Sequence, residues 1–130
     1  MKKNIIWVLC IGAVLLIAVI FTLNNNEKHV EEIVESPLFT NGVIHEITYE
    51  KGKTTLADYQ FEVNGISFTS SKGDGRLQHL GKLIIDRPFP IIYNSEDPNK
   101  NDILIFKSDF LKYNIKFSDS LNWVLELEQK

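Results

Sequence analysis

The chain contains one cysteine, two arginines and three histidines. Each scarcity removes a class of function. A lone Cys10 excludes an internal disulfide and any zinc site built on paired thiolates. Two arginines and no basic run argue against nucleic-acid binding, which needs clustered cations to neutralise phosphates. No serine stands in a Gly-x-Ser-x-Gly elbow, so the commonest hydrolase signature is missing.

Charge is absent from residues 5–23, "IIWVLCIGAVLLIAVIFTL". A helix of that length would be about 28 Å long, close to the hydrocarbon thickness of a bilayer. The segment therefore reads as a membrane span, with residues 1–23 acting as a signal anchor and the lipid bilayer as partner. A cleaved signal would be shorter and end in small residues, whereas Phe21, Thr22 and Leu23 run into "NNNEKH". A lipoprotein reading of Cys10 fails because Leu9 precedes it in the middle of the apolar run. Lys2 and Lys3 lie before the segment and Glu27 and Lys28 after it. The expected placement is the bacterial cytoplasmic membrane, single pass, with the N-terminus cytoplasmic and the C-terminal domain outside. Trp7 fits an interfacial aromatic.

All seventeen acidic residues but only twelve of the fourteen basic ones follow residue 23, leaving that part at −5. Residues 24–37, "NNNEKHVEEIVESP", are acidic and poor in aromatics, and read as a linker with at most a turn around Val30. His29 belongs to it as a solvated residue. Residues 38–130 are long enough for one modest core and too short for two.

Their patterning is mostly period two. In "GVIHEITYE", Val43, His45, Ile47 and Tyr49 share one face and Ile44, Glu46 and Thr48 the other. The clearest signal is "LADYQFEV-NG-ISFTS": Asn64-Gly65 is the preferred two-residue hairpin turn, since both positions need positive φ. It sets Val63 against Ile66, Phe61 against Phe68 and Tyr59 against Ser70. "LIIDRPFPIIY" looks like a strand interrupted by Pro88 and Pro90, hence an edge or bend. "ILIF" is a short strand, and "SDFLKYN" gives a helical turn or two with Ser108 as N-cap. In "SLNWVLELEQ" the alternation of Leu121, Trp123, Leu125 and Leu127 favours strand. The expected fold is mainly β, an N-terminal transmembrane helix followed by a small β-barrel or sandwich of five to seven short strands with minimal helix.

Candidate chemistry is thin. Asp97, Asn99 and Asn101 have the one-three-five spacing that opens a calcium loop. Asp102 stands where glycine is required, however, and Ser108 where the closing glutamate should be. Asp97-Pro98-Asn99 reads instead as a turn in which Asx side chains bond nearby backbone. "KGDGRLQHLGK" fails as a phosphate loop because Gly75 to Gly81 is one position too long and Leu83 follows Lys82. It also fails as a dinucleotide fingerprint, Gln78 replacing the third glycine. His45, on a face with Val43 and Ile47, reads as a packed histidine. His79 is the remaining histidine, and Asp58 and Glu62 read as solvated hairpin carboxylates. No catalytic, metal or cofactor residues are assigned. The exposed loops carrying Gly73, Asp74 and Arg76, and Asn94, Glu96, Asp97, Asn99, Asn101 and Asp102, are the candidate contact surfaces.

The order "NGVI", "YQFEVNGISF", "FPIIYNSEDPNKNDIL" resembles small bacterial single-span membrane proteins carrying a β-rich domain of unknown function. The matching positions are Gly42, Tyr59, Phe61, Val63, Gly65, Tyr93 and Pro98. The resemblance implies a β-rich domain beside the membrane, and no catalytic residues to carry over. The expected role is a membrane-tethered, non-enzymatic extracytoplasmic interaction module whose partner is another membrane or exported protein, with no nucleic acid. The alternatives are an immunity-type protein that neutralises a toxin at the membrane and, from another class, an envelope hydrolase using His45 or His79.

Overall fold

The turn at Asn64-Gly65 organises the sheet. In the computed structural model, which describes the backbone of residues 2–128 and the side chains of residues 9–17 and 27–128, Asn64 has φ 52° and Gly65 φ 80°. The twist of this turn matches that of the flanking strands. Strand β2 (Leu56–Val63) passes directly into β3 (Ile66–Gly73), with Val63 opposite Ile66, Phe61 opposite Phe68 and Tyr59 opposite Ser70. Tyr59 and Phe61 are buried while Gln60 and Glu62 are exposed. The Phe61 and Phe68 rings stack at 5.6 Å, a contact of about 1 kcal/mol beyond the area it buries.

Strand β1 (Pro37–Thr48) is the central strand. Its second half pairs with β2 and its first half with β4 (Pro88–Asn94), both antiparallel. Gly42 belongs to both ladders. A Cβ there would lie 2.8 Å from the Ile91 side chain and 2.9 Å from the Gln60 carbonyl oxygen, so only glycine fits. The register shifts between Ile44 and Glu46, a bulge that leaves His45 unpaired. Strand β5 (Asn101–Ile103) completes one curled antiparallel sheet of order β3-β2-β1-β4-β5.

This architecture corrects the expected barrel or sandwich: there is a single five-stranded sheet, curled as a half-barrel, with helices. Strand β4 is also not at an edge. Pro90 accepts a bond from the Leu104 N–H and Asn94 donates to Lys100, so the even positions of β4 turn their backbone away from β1. Ile91 is already opposite Ile103, the last residue of β5. Pro88 and Pro90 therefore aim their missing N–H groups past the end of β5, and no ladder bond is lost.

Helical content is larger than the alternation suggested. Helix α1 (Lys2–Val34) is followed after the sheet's first three strands by α2 (Leu77–Leu80), then α3 (Lys107–Lys112) and α4 (Asn122–Glu128), with single 3₁₀ turns at Gly81–Ile84 and Asp119–Leu121. Leu77, Leu80, Ile84, Phe110, Leu121 and Val124 are buried with Ile44, Tyr59, Phe89, Ile91 and Ile103. The expected final strand is a helix because the buried positions, Leu121 and Val124, are three apart rather than two. Trp123 packs on Phe89 at 5.9 Å, and the Arg87 guanidinium lies 4.3 Å above its ring. Ser108 does not cap α3. Phe106 occupies that position, and the Asp109 carboxylate reaches back to accept the Phe106 N–H at 2.9 Å.

Residues 1–31 and 32–130 form two separate compact units. The expected membrane span over residues 5–23 is corrected as well. Among the described residues no helix is long and apolar enough to cross a membrane. Of the expected span, the side chains of residues 5–8 and 18–23 lie outside the described residues. In the second unit Ile33 is fully buried.

Candidate functional site

The β4–β5 hairpin carries six of the nine candidate residues: Asn94 ends β4, Glu96, Asp97 and Asn99 lie in the loop, and Asn101 and Asp102 lie in β5. Asn94 is buried; its Oδ1 accepts the N–H groups of Glu96 and Asp97, and its Nδ2 donates to the Glu32 carbonyl. Asp97 accepts from the Asn99 N–H, and the Asn101 amide donates to the carbonyls of Pro98 and Asn99. Lys100 pairs with Glu32 at 3.0 Å. These are the bonds of a well-made Asx turn. Ser95, Glu96, Asp97 and Asn99 are exposed, whereas Asn94, Asn101 and Asp102 are buried. Among the described residues no three His, Cys, Asp or Glu side chains gather as metal ligands.

Asp102 instead belongs to the strongest polar cluster of the molecule. Lys72, at the end of edge strand β3, extends its ammonium to Asp102 at 2.9 Å, Asp109 at 2.8 Å and the Ile103 carbonyl at 2.9 Å. Its side chain is 11% exposed, and those of Asp102 and Asp109 are 10% and 7%. Lys112 and the Tyr113 hydroxyl take the other Asp102 oxygen, each at 2.9 Å. Asp109 also accepts the N–H groups of Ile105 and Phe106. Tyr59 donates to Asn101 at 2.5 Å. Strands β3 and β5 share no backbone ladder, so Lys72 is a side-chain latch across the seam of the half-barrel.

The electrostatics of the latch agree with its geometry. Burial opposes the Lys72 charge, but Asp102 and Asp109 outweigh it and hold the ammonium above its ordinary pKa. Burial likewise opposes the Asp102 charge, and Lys72 with Lys112 overcomes it, keeping the carboxyl below its ordinary value. Burial pushes the Tyr59 phenol up, and burial and then Asp102 push up that of Tyr113. A lysine held this firmly in its charged form is a poor nucleophile or base. No buried side-chain nitrogen or oxygen lacks a partner among the described residues. The cluster is finished internally and works as framework.

The second candidate loop is similarly engaged. Asp74 accepts from the Arg76 backbone N–H and guanidinium, and the guanidinium stacks 4.0 Å over Phe106. Gly73 closes β3 where a Cβ would meet the Thr54 methyl at 2.9 Å.

What remains open lies on β3 and on the outer face of the sheet. In a two-residue hairpin the pairs flanking the turn exchange both bonds, so Ile66, Phe68, Ser70 and Lys72 face β2. Ser67, Thr69, Ser71 and Gly73 then direct their N–H and C=O groups outward, and their side chains are exposed or absent. On the outer face, a recess of about 440 Å³ lies between β1 and β2, with Asn41, Val43, His45, Gln60 and Glu62 on its walls. His45 is exposed there, not packed, because it shares the outer face with Asn41 and Val43, which are exposed too, while Gly42 and Ile44 face the core. His79 is exposed on α2, away from these recess residues in the fold's element order.

The sequence missed Lys72 and Asp109. "SSKG" reads as the polar end of a strand, and the partners follow 30 and 37 positions later. A lysine in phase with Ala57, Tyr59 and Phe61 across the hairpin was the available signal. In comparison with known proteins, no family model, curated protein or solved structure matches this chain. Function is therefore read from the geometry alone.

Proposed function

We propose that the chain is a non-enzymatic protein-interaction module that binds an extended segment of another protein by strand addition at the edge of β3. One observation carries this reading: at the turn end of edge strand β3 the outward backbone groups of residues 67 and 69 have no ladder partner among the described residues. Open edges of this kind are usually blunted by proline, exposed lysine or a covering loop. Here the outward side chains are Ser67, Thr69 and Ser71, small and neutral. The only lysine of the strand is turned inward into the latch. Main-chain bonds would supply affinity, and alternate side chains specificity. The expected partner is a membrane or exported protein of the bacterial envelope, an assignment that rests on the sequence.

Thr69→Pro tests the mode. Its nitrogen points away from β2, so the hairpin ladder stays intact while the edge loses a donor. Full-length protein is purified from its host with whatever accompanies it, beside Thr69→Pro and Thr69→Ala. A near-stoichiometric partner retained by Thr69→Ala and lost by Thr69→Pro, at unchanged melting temperature, supports strand addition. Retention by Thr69→Pro rejects it.

A hydrolytic reading has one observation in its favour, the presence of His45 and Glu62 around the same recess. No hydrogen bond joins the two among the described residues, and no serine or threonine nucleophile is bonded to His45. The double variant His45→Ala/His79→Ala decides: unchanged behaviour of cells and of purified protein removes the enzyme reading.

A further inference from the structure

A second open feature lies on the opposite side of the chain order, beyond the sheet. Helix α3 ends at Lys112, and Asn114, at φ 55°, turns the chain back so that the Ile115 N–H bonds the Phe110 carbonyl at 2.9 Å. This reversal brings Phe117 edge-on against Phe110, with ring centres 5.1 Å apart and planes at 81°. Helix α4 follows and presents Leu125. Between them lies a groove of about 400 Å³. Leu111, 66% exposed, and the half-buried Ile115, Phe117 and Leu125 supply its apolar surface.

Two exposed lysines, Lys107 and Lys116, border the same groove, and Asp119 is the one acid there. Neither lysine takes part in any of the ion pairs formed among the described residues. Five other cations are paired, Lys53 with Glu50, Lys72 with Asp102 and Asp109, Arg76 with Asp74, Lys100 with Glu32 and Lys112 with Asp102. Lys28, Lys51, Lys82 and Arg87 form no such pair among the described residues, but they do not border the groove. The chain as a whole is acidic, at −3. An apolar trough with unpaired positive charge at its rim, in an acidic protein, selects a ligand by charge complementarity. A volume of this size falls within the ordinary range of small-ligand sites.

We propose that this groove binds a single-chain anionic amphiphile of the fatty-acid class, its alkyl chain along Leu111, Phe117 and Leu125 and its carboxylate between Lys107 and Lys116. The alkyl chain covers apolar surface that is otherwise wet, and the anion gains two cations that no protein carboxylate neutralises. The site is independent of the β3 edge, so either can fail without the other.

The test is isothermal titration of the full chain with laurate below its micelle concentration, beside dodecyltrimethylammonium, which has the same tail and opposite charge. The expected result is saturable one-to-one binding of laurate, at least tenfold tighter than the cationic amphiphile. Lys107→Glu/Lys116→Glu should weaken laurate at least tenfold, and Leu111→Asp should do the same. All three positions are exposed, so the melting temperature should stay put; Lys107→Gln/Lys116→Gln provides a milder second variant should the reversal unsettle the fold. Equal affinity for the two head groups overturns the proposal, as does non-saturable uptake. Binding to phosphatidylglycerol vesicles without binding to monomeric laurate also overturns it, and assigns the face to a bilayer surface.

Discussion

The two ends of β3 behave as different materials. At residue 72 the strand carries a charge, and that charge is buried, triply bonded and committed to holding β5. At residues 66–69 it carries almost no chemistry, yet its backbone edge is open and Ile66 is 61% exposed. Strand alternation makes the difference. Lys72 falls on the face of Ala57 and Tyr59, so its only route to solvation was to recruit carboxylates; Thr69 falls on the outer face and needs none. The reactive-looking residues of this molecule are its scaffold, and the plain ones are its surface.

The contrast can be broken most forcefully at the latch. Lys72→Ala leaves Asp102 and Asp109 buried without their main counter-charge, and should cost about 3–5 kcal/mol of unfolding free energy. Urea denaturation measures it, and a loss below about 1 kcal/mol would show that the seam does not depend on Lys72. Asp109→Ala should cost about 2–3 kcal/mol. It strands the Ile105 and Phe106 N–H groups while Lys72 keeps Asp102. If Asp109→Asn loses as much as Asp109→Ala, the backbone bonds matter less than the charge.

A smaller effect follows from pH. Lys72 has its pKa raised from 10.5 in the folded state. Its contribution is complete below 10.5 and disappears as pH rises through the folded value. Tyr113, raised from 10.0, acts in the same direction. Asp102, lowered from 3.8, contributes above that value and is lost as pH falls through its folded pKa. The melting temperature should be level through the neutral range and fall at both extremes. In Lys72→Met the alkaline fall should shrink to what the tyrosines leave, and Tyr113→Phe should shrink it from the other side. At the open end of the strand the expectation is near zero: Thr69→Lys should move stability by no more than about 0.5 kcal/mol. A large loss there would mean that the edge is already covered.

The hairpin was legible because turn chemistry and alternation gave one answer, and the register at Phe61 and Phe68 followed residue by residue. The Asp97-Pro98-Asn99 turn was legible for the same local reason. Long-range information was not. Nothing in "NDIL" says that Asn101 and Asp102 face inward, since their partners Tyr59 and Lys72 lie in another hairpin. Pro88 and Pro90 looked like an edge because a sequence does not show that the neighbouring strand stops at Ile103. The last ten residues offered both spacings, and the side already occupied by Phe89 chose the helical one.

The central place of β1 has a consequence for how the protein is made. Thr48 pairs with Leu56, a few residues on, whereas Pro37 pairs with Asn94. Strands β1 to β3 can therefore assemble from neighbours while the ribosome is still supplying the rest, and β4 must close a much longer loop before its contacts count. During that interval Ile44, Tyr59 and Phe61 line a bare three-stranded face. A β1–β3 sheet formed ahead of β4 would carry its core side chains on an open face until Phe89 and Ile91 covered it.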